Sequence, residues 1–343
     1  MNNRIPSGRF DRDNSQNMRT RNAAFEFPLT FAGVCFVAVL LSGCKPAGQS
    51  APDSKGKPRV ALIMKSLANE FFLTMENGAK AHQQAHAADY DLLANGIKDE
   101  LDVSRQIDLV EQMVAQKVDA IVIAPADSKA LVPVCKKAQQ AGITVVNIDN
   151  KFEDAVLAAS GVKFPFVGPD NRKGAKAVGD FLATKLKAGD KVVLIEGAPN
   201  AFNGVQRKLG FEDAMKAAGV NIVSSQSGFW ETDKANQVVA ALITEHPEVK
   251  AVLCANDSMA LGAVAALRAA GKLGQVFVVG YDGIGAVQNL VKEGKILATA
   301  EQHADRLAIF GIEYALEMLK NKTTPADRET PVDLITAESP FRK

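Results

Sequence analysis

The chain has 343 residues, with 40 lysines and arginines against 39 acidic residues and a formal net charge of +1. Hydrophobic residues make up 47% of the chain and charged residues 23%, which are ordinary proportions for a globular protein. The charges are interspersed, without a basic stripe or an acidic tail, so the sequence argues against a nucleic-acid-binding protein.

A short apolar segment lies near the N-terminus. It runs from 27 to 41, follows Arg19 and Arg21, and ends on the tetrapeptide Leu-Ser-Gly-Cys at 41–44. Its 15 residues are fewer than the ~20 that a transmembrane helix needs, and the basic flank and small residues are typical of a secretory signal. The tetrapeptide resembles a lipobox, in which the cysteine is lipidated and becomes the new N-terminus. We therefore predict that Cys44 anchors the mature protein to a membrane, in the periplasm or at the cell surface.

The signal sequence and the segment after it set the start of the folded chain. We predict a lipoprotein signal peptide over 1–43, with Met18 as a more usual start, and a flexible polar linker over 44–57. Two further cysteines, Cys135 and Cys254, lie far apart within strong helix or strand patterns. We expect both to be buried as small apolar side chains rather than paired.

From residue 60 onward, short apolar runs alternate with segments of helical periodicity. The run at 60–64 is wholly apolar, as expected for a parallel strand covered on both faces. The predicted strands lie at 60–64, 90–94, 120–124, 143–148, 191–195, 220–225, 249–253, 276–279, 296–300 and 332–335. The predicted helices lie at 70–87, 103–116, 130–140, 171–186, 206–218, 234–244, 259–270 and 305–320.

This alternation predicts an α/β fold with parallel sheets, because successive strands joined by helices form right-handed βαβ units. About ten strands are too many for one open sheet. Two similar Rossmann-like lobes fit better, with the change from one to the other near 166–170.

Chemically active side chains follow the predicted strands, where open α/β sheets bind their ligands. They comprise carboxylates, amides, one lysine and several aromatic residues: Lys65, Asn69, Phe71, Phe72, Asp149, Asn150, Trp230, Asn256, Asp257, Tyr281, Asp282, Gln302 and His303. Amides and carboxylates can each bind two neighbouring hydroxyls, and an aromatic face can cover the apolar face of a sugar ring. The set therefore suits a polyhydroxylated small molecule.

Some of these residues have ordinary structural explanations. Asp257, just before the predicted helix at 259–270, is expected to cap that helix. Because Phe71 and Phe72 are adjacent, we expect one to face the core and the other the ligand.

The usual catalytic motifs are missing from the sequence, including the dinucleotide fingerprint, the P-loop, G-x-S-x-G and H-E-x-x-H. His82 and His86 are four residues apart on a predicted helix, but no third metal ligand accompanies them. Asp149 and Asp282 could form an acid–base pair, but no nucleophile or activated water is evident beside them. We therefore expect no enzyme activity, no metal and no cofactor.

Several runs of residues resemble the ribose-binding-protein-like family of substrate-binding proteins, which serve ABC sugar importers. The resemblance covers 59–334. Its most specific runs are 69–72 (Asn-Glu-Phe-Phe), 121–125 (Ile-Val-Ile-Ala-Pro) with 127–128 (Asp-Ser), 170–171 (Asp-Asn) with Gly174, 254–262 (Cys-Ala-Asn-Asp-Ser-Met-Ala-Leu-Gly), 278–283 (Val-Val-Gly-Tyr-Asp-Gly) and 294–302 (Gly-Lys-Ile-Leu-Ala-Thr-Ala-Glu-Gln).

The resemblance implies two lobes joined by a three-segment hinge, with a sugar or polyol enclosed between them. The N-terminal lobe would comprise 58–168 plus 303–328, and the C-terminal lobe 169–302 plus 329–343. A monomer that delivers its ligand to an ABC permease is expected. The implied ligand-binding residues are Lys65, Asn69, Phe71, Phe72, Asp149, Asn150, Trp230, Asn256, Asp282 and Gln302, with Phe72 and Trp230 on the two faces of the ring.

The sequence departs from ribose binders at two arginine positions. Ribose binders have an arginine where this chain has Asn150 and a second arginine where it has Val205, although Asn203 and Arg207 are near. An amide or a valine does not replace a charged, forked donor conservatively. Lys65, where ribose binders have a small hydroxyl residue, could supply a donor instead.

Other functions and ligands fit the same sequence features to different degrees. A sugar sensor that signals to a chemoreceptor or sensor kinase would share the fold. A sugar-responsive repressor would need an N-terminal helix-turn-helix where this chain has a signal and linker. An exported enzyme would need to turn over a candidate sugar. The ligand itself could be a neutral sugar, a sugar acid or a cyclic polyol such as inositol, and either membrane could hold the anchor.

Overall fold

The computed structural model describes residues 56–339, so the predicted signal peptide, Cys44 and nearly all of the predicted linker lie outside the described residues. The strands of the described part are β1 (Arg59–Ser66), β2 (Asp91–Ile97), β3 (Ala120–Ile123), β4 (Thr144–Ile148), β5 (Phe166–Pro169), β6 (Lys191–Glu196), β7 (Asn221–Ser227), β8 (Ala251–Cys254), β9 (Phe277–Val279), β10 (Ala298–Glu301), β11 (Arg328–Thr330) and β12 (Asp333–Thr336). The helices are α1 (Glu70–Ala85), α2 (Val103–Ala115), α3 (Val132–Gln140), α4 (Asp154–Ser160), α5 (Asn171–Ala183), α6 (Phe202–Ala217), α7 (Thr232–Glu245), α8 (Asp257–Ala269), α9 (Gly285–Lys292) and α10 (Ala304–Asn321).

The strands form two sheets of six. The first has the order β11-β5-β4-β3-β1-β2, and all of its pairings are parallel. The second has the order β12-β10-β9-β8-β6-β7, and only the pairing of β10 with β12 is antiparallel. The predicted α/β class with two lobes of parallel strands is confirmed.

The chain passes between the two sheets three times, after β5, after β10 and after β11. We call the elements around the first sheet the N-lobe (β1–β5, α1–α4, α10 and β11) and those around the second the C-lobe (α5–α9, β6–β10 and β12). The exact lobe boundaries stay a prediction, whereas the membership of each strand in its sheet is observed.

Strand β1 shows why an unbroken apolar run forms the centre of such a sheet. Val60, Leu62 and Met64 pack in the apolar cluster that includes residues of α1 and α10. The alternate residues Ala61 and Ile63 pack in the cluster that includes residues of α2 and α3. Since both faces of the strand are covered, every residue from 60 to 64 is fully buried and none is polar.

Four short elements were missed by the sequence patterns: α4, β5, α9 and β11. Each has eight residues or fewer, and β5 (Phe-Val-Gly-Pro) and β11 (Arg-Glu-Thr) also lack the apolar run from which strands as short as β9 were recognised. Helix α6 also begins four residues before its predicted start at 206.

Two further features of the described residues bear on the sequence predictions. Cys135 and Cys254 are buried and free, as expected. Between residues 56 and 339, no helix is both long and apolar enough to cross a membrane.

Candidate binding site

The carboxyl ends of strands from both sheets border a small, nearly closed cleft between the lobes. The N-lobe contributes Lys65, Asn69, Phe71, Phe72, Glu100 and Asp149, and the C-lobe contributes Asn203, Arg207, Trp230, Asn256 and Asp282. Eight of the ten predicted ligand-binding residues therefore meet in one place. The other two, Asn150 and Gln302, lie beside the cleft rather than on its wall.

The start of helix α1 brings the aromatic residues of the N-lobe into the cleft. The Asn69 side chain accepts a hydrogen bond from the Phe71 backbone N–H and donates one to Glu100 Oε1, at 3.0 and 3.1 Å. The Phe71 and Phe72 rings pack edge to face, with centroids 5.1 Å apart. Both rings are buried and both line the cleft. They therefore do not divide into one core residue and one ligand-facing residue, as the sequence had led us to expect.

Lys65 is a buried cation with partners of two kinds. Its Nζ lies 3.3 Å from Glu100 Oε2, and 5.2 Å from the ring centroids of both Phe72 and Trp230. A carboxylate and two aromatic faces together stabilise an ammonium group that has lost its water. Glu100 was not among the residues predicted from the sequence, although it follows β2 at the same edge of the sheet as the predicted residues.

Arg207 supplies the guanidinium that the sequence comparison placed at Val205. Val205 is 43% exposed, whereas Arg207 is 2% exposed and lines the cleft. Its Nη1 donates to Asp282 Oδ1 at 3.2 Å and its Nε to Asn171 Oδ1 at 2.8 Å. Although Val205 faces away from the cleft, Arg207, two residues further along α6, places a guanidinium in it.

Arg207 is also packed against aromatic rings. Its guanidinium lies 3.9 Å from the centroid of the Tyr281 ring and 5.5 Å from that of Trp230. A cation held by two rings and three hydrogen-bond acceptors has a fixed orientation.

Trp230 owes its position to glycines beneath its ring. A Cβ atom on Gly197 would lie 2.0 Å from the ring, and one on Gly204 would lie 2.9 Å from it. Only a residue without a side chain allows the indole to come so close to the backbone.

Three cleft residues adopt backbone angles that are rare for residues other than glycine. Asp149, Trp230 and Asp282 have φ values of 61°, 70° and 129°. Each such residue costs on the order of 1–3 kcal/mol, and residues of this kind concentrate at binding and catalytic sites. Here the strain lies in three of the predicted ligand-binding residues, which strengthens their assignment to the site.

Burial sets the protonation of the cleft carboxylates. It raises the pKa of Asp149, although Lys65 and Arg207 oppose the shift. It raises the pKa of Asp282 well above its ordinary value, against the nearby guanidinium of Arg207. It also raises the pKa of Glu100 in spite of Lys65. For each of the three carboxylates, burial raises the pKa by more than the nearby cations lower it.

Apart from Glu100 Oε2, which forms an ion pair with Lys65, four buried polar atoms in and beside the cleft have no hydrogen-bond partner among the described residues. Three are acceptors, Asp149 Oδ2, Asn203 Oδ1 and Gln302 Oε1, and one is a donor, Trp230 Nε1. Buried polar atoms are normally paired, and leaving one unpaired costs about 1–3 kcal/mol. The site is therefore suited to a small molecule that supplies several hydrogen-bond donors and at least one acceptor.

Asn150 and Gln302 have protein partners. Asn150 donates from Nδ2 to the Pro125 carbonyl, and its Oδ1 accepts from Ser128 Oγ and from the Asn203 backbone N–H. Gln302 Nε2 donates to Asp282 Oδ1 at 2.7 Å. Gln302 therefore orients a cleft carboxylate, whereas Asn150 connects the lobes.

The expected cap role of Asp257 is wrong. Asn256 caps helix α8, its Oδ1 accepting from the Met259 N–H at 2.9 Å. Asp257 is the first residue of the helix, and its carboxylate accepts from Thr299 Oγ1 and the Ile284 N–H. It therefore supports the loop that follows Asp282, behind the cleft wall.

The remaining predicted residues lie outside the cleft. Tyr281 packs beneath Arg207, and His303 Nε2 lies 2.8 Å from Asp333 Oδ2. His82 and His86 stack on each other, with ring centroids 4.3 Å apart. Over residues 56–339, no group of three or more potential ligands is placed to hold a metal ion.

Comparison with known proteins identifies the family. Residues 60–323 match the model of the periplasmic binding protein domain. The chain belongs to the periplasmic binding protein family. Periplasmic binding proteins of this kind are transport proteins that work in the periplasm, so the expectation that the chain is not an enzyme is confirmed.

Individual periplasmic binding proteins resemble the chain over most of its length. The D-ribose/D-allose-binding protein of Pseudomonas aeruginosa is 57% identical over 307 residues, covering 88% of this chain and 96% of that protein.

Two solved structures are also close. A solute-binding protein of an ABC transporter from Burkholderia multivorans is 60% identical, with a TM-score of 0.81, covering 82% of this chain and 100% of that one. It contains an unknown ligand represented as alpha-D-erythrofuranose. A periplasmic solute-binding protein from Actinobacillus succinogenes with bound D-allose is 36% identical, with a TM-score of 0.78, covering 82% of this chain and 98% of that one. The resemblance noted from the sequence motifs is confirmed.

The buried Asp257 predicts a pH dependence of stability. Burial raises its pKa from 3.8 to about 7. Between these values the folded protein keeps a proton that the unfolded chain loses, so the free energy of unfolding falls as pH rises through this window. Asp257→Asn should make the free energy of unfolding depend less on pH in this window. Urea unfolding at several pH values across the window measures this dependence. Some slope should remain, since the pKa of Asp282 is raised in the same direction. An unchanged slope would show that Asp257 is ionised in the folded protein.

Proposed function

We propose that the protein is a lipid-anchored receptor that encloses a neutral sugar or polyol between its lobes and delivers it to an ABC import permease. The observation that carries the proposal is the cleft itself, where buried acceptors without partners lie among aromatic rings and charged groups. Membership of the periplasmic binding protein family supports solute capture and transport. The identity of the ligand, the lipid anchor and the delivery step are the proposed parts.

The unpartnered cleft atoms indicate hydroxyl groups. Asp149 Oδ2, Asn203 Oδ1 and Gln302 Oε1 each need a donor, and Trp230 Nε1 needs an acceptor. A hydroxyl can donate and accept at once, so a molecule with several hydroxyls can satisfy all four atoms. The aromatic rings of the cleft suit the apolar face of a sugar ring.

The charges of the cleft favour a neutral ligand. Lys65 and Arg207 face the three carboxylates Glu100, Asp149 and Asp282 in the same small cleft. Burial raises the pKa values of all three carboxylates and so favours their protonated forms, which brings two cations and three carboxylates close to charge balance. A sugar acid would add a further negative charge to this site, at a high cost in desolvation.

The similar proteins suggest the first sugars to test. One relative is named for D-ribose and D-allose, and one solved structure contains D-allose. The residues proposed to contact the sugar are the ten predicted from the sequence other than Asn150, together with Glu100, Asn203 and Arg207. Of these, Gln302 acts from beside the cleft wall, and Asn256 also caps α8.

A ligand screen tests the proposed function directly. Purified protein should show a higher melting temperature with D-allose or D-ribose, because a ligand that binds only the folded state stabilises it. The panel should also contain myo-inositol and D-galacturonate, as a cyclic polyol and a sugar acid. Stabilisation by D-galacturonate alone would contradict a neutral ligand, and no shift with any sugar or polyol would contradict the function.

Substitutions in the cleft test the assignment of the site. Asp149→Asn and Trp230→Phe should each weaken binding of the stabilising sugar by about tenfold or more, since each removes a hydrogen bond at a buried position. Isothermal titration calorimetry measures the affinity, and circular dichroism checks the fold. Asp108→Asn, at an exposed position on α2, is the matched control and should bind as the wild type does. Unchanged affinity in both cleft variants would place the sugar elsewhere.

The lipid anchor is tested separately from the binding site. Cys44→Ser should move the protein from the membrane fraction to the soluble fraction, because the substitution removes the thiol that would carry the lipid. Its affinity for the sugar should not change, as the predicted linker separates Cys44 from the cleft. Retention of the Cys44→Ser protein in the membrane fraction would refute anchoring through this cysteine.

A further inference from the structure

Three helices of the C-lobe, α6, α7 and α9, begin without a side-chain cap hydrogen bond, and in α6 and α9 the residue at the cap position has no side-chain acceptor. The first N–H groups of a helix have no partner within the helix, and a polar side chain just before it usually accepts from them. The residues at this position are Ala201 for α6 and Ile284 for α9, and neither can do so. By contrast, α5 and α8 of the same lobe are capped by Asp170 and Asn256.

The N-lobe supplies the acceptors for α6. The Phe202 N–H donates to Ser128 Oγ at 2.9 Å, and the Asn203 N–H donates to Asn150 Oδ1 at 3.1 Å. These two acceptors are themselves joined, because Ser128 Oγ donates to Asn150 Oδ1 at 3.2 Å. The start of α6 is therefore capped across the boundary between the lobes.

Two more hydrogen bonds between the lobes support this cap. The Ser128 N–H donates to the Asn200 carbonyl at 3.1 Å, and Asn200 Nδ2 donates to Asp127 Oδ2 at 2.7 Å. These four hydrogen bonds join Asp127, Ser128 and Asn150 of the N-lobe to Asn200, Phe202 and Asn203 of the C-lobe, so they act as one group of contacts.

The N-lobe also supplies the acceptor for α9. Glu70, the first residue of α1, accepts from the Gly285 N–H at 2.8 Å and from the Ala286 N–H at 3.3 Å. A carboxylate at the start of a helix also interacts favourably with the helix dipole. A second and separate hydrogen-bonded contact thus joins the lobes.

We propose that Ser128, Asn150 and Glu70 are positioning residues that set ligand affinity by holding the lobes together, without contacting the ligand. None of the three lines the cleft. When the lobes separate, α6 and α9 lose their caps, so the caps favour the closed arrangement. The apparent affinity for a ligand rises with the population of the arrangement that binds it.

Each cap also adjoins a cleft residue. Glu70 directly precedes Phe71, and Asn150 directly follows the strained Asp149. Asn203 donates its backbone N–H to the cap, while its Oδ1 is one of the unpartnered atoms of the cleft. Closing the lobes and completing the cleft are therefore coupled through neighbouring residues. Ribose binders are expected to contact their ligand through an arginine at the position of Asn150. In this chain, Asn150 forms a contact between the lobes instead.

The test compares caps between lobes with a cap inside one lobe. Glu70→Ala and Ser128→Ala remove acceptors for α9 and α6. Asp102→Ala is the matched control, because Asp102 caps α2 within the N-lobe by accepting from the Arg105 N–H at 3.0 Å. All three variants should lose some stability, because each removes a helix cap. Only Glu70→Ala and Ser128→Ala also remove a contact between the lobes, so a loss of affinity in these two alone reports on closure of the lobes.

Calorimetry with D-allose, or with the sugar that gives the largest thermal shift, measures the effect on binding. Glu70→Ala and Ser128→Ala should each weaken affinity by about three- to tenfold, and Asp102→Ala by less than about twofold. Glu70→Gln keeps an acceptor and should recover most of the affinity. Wild-type affinity in both lobe-cap variants, or an equal loss in Asp102→Ala, would overturn the proposal.

The affinity measurement rests on the proposed function, because it needs a sugar that binds. A measurement without ligand tests the role of the caps independently of that function. Hydrogen exchange of the ligand-free protein reports the backbone N–H groups of 202–203 and 285–286. We expect partial protection in the wild type, a loss at 285–286 in Glu70→Ala and at 202–203 in Ser128→Ala, and no change in Asp102→Ala. If the wild type shows no protection at these groups, the caps do not hold the lobes together. If no sugar binds, the proposed function fails while this result still decides the role of the caps.

Discussion

The burial of five charged side chains in one small cleft is the constraint on which the site depends. An unpaired charge away from water is so costly that each must be held by an opposite charge, a ring face or a hydrogen bond. Lys65 is held by Glu100 and two rings, and Arg207 by Asp282, Asn171 and Tyr281. These partners come from strands and helices distant in sequence, so the charges fix the positions of the elements around the cleft.

Contacts between the lobes add a second requirement, because residues of the cleft wall come from both of them. Asp149, Trp230 and Asp282 are held at rare backbone angles, and such strain persists only where surrounding contacts impose it. The caps that Ser128, Asn150 and Glu70 provide for α6 and α9 join the two sides of that wall. In the proposed role, these hydrogen bonds favour the closed arrangement in which the cleft residues meet.

The sequence located most of the site by one rule, that ligands lie at the carboxyl ends of parallel strands. The rule selected Lys65, Asp149 and Asp282 correctly as cleft residues, and it could have selected Glu100 after β2. It failed for Arg207, which lies within α6 and reaches the cleft from the side of a helix. A residue in the middle of a helix is not located by the ends of the strands, and the family motif pointed to Val205, which is exposed.

The α/β class, the two lobes and the long elements could be predicted before folding was considered, because apolar runs and helical repeats are local properties of the chain. The starts of α6 and α9 could be located only in the folded molecule, since their caps belong to the other lobe and no residue beside them signals a start. The fold also determines that Asn256 rather than Asp257 caps α8, and that Asn150 connects the lobes. A side chain with several hydrogen-bonding atoms has many possible partners in the sequence, and folding alone selects among them.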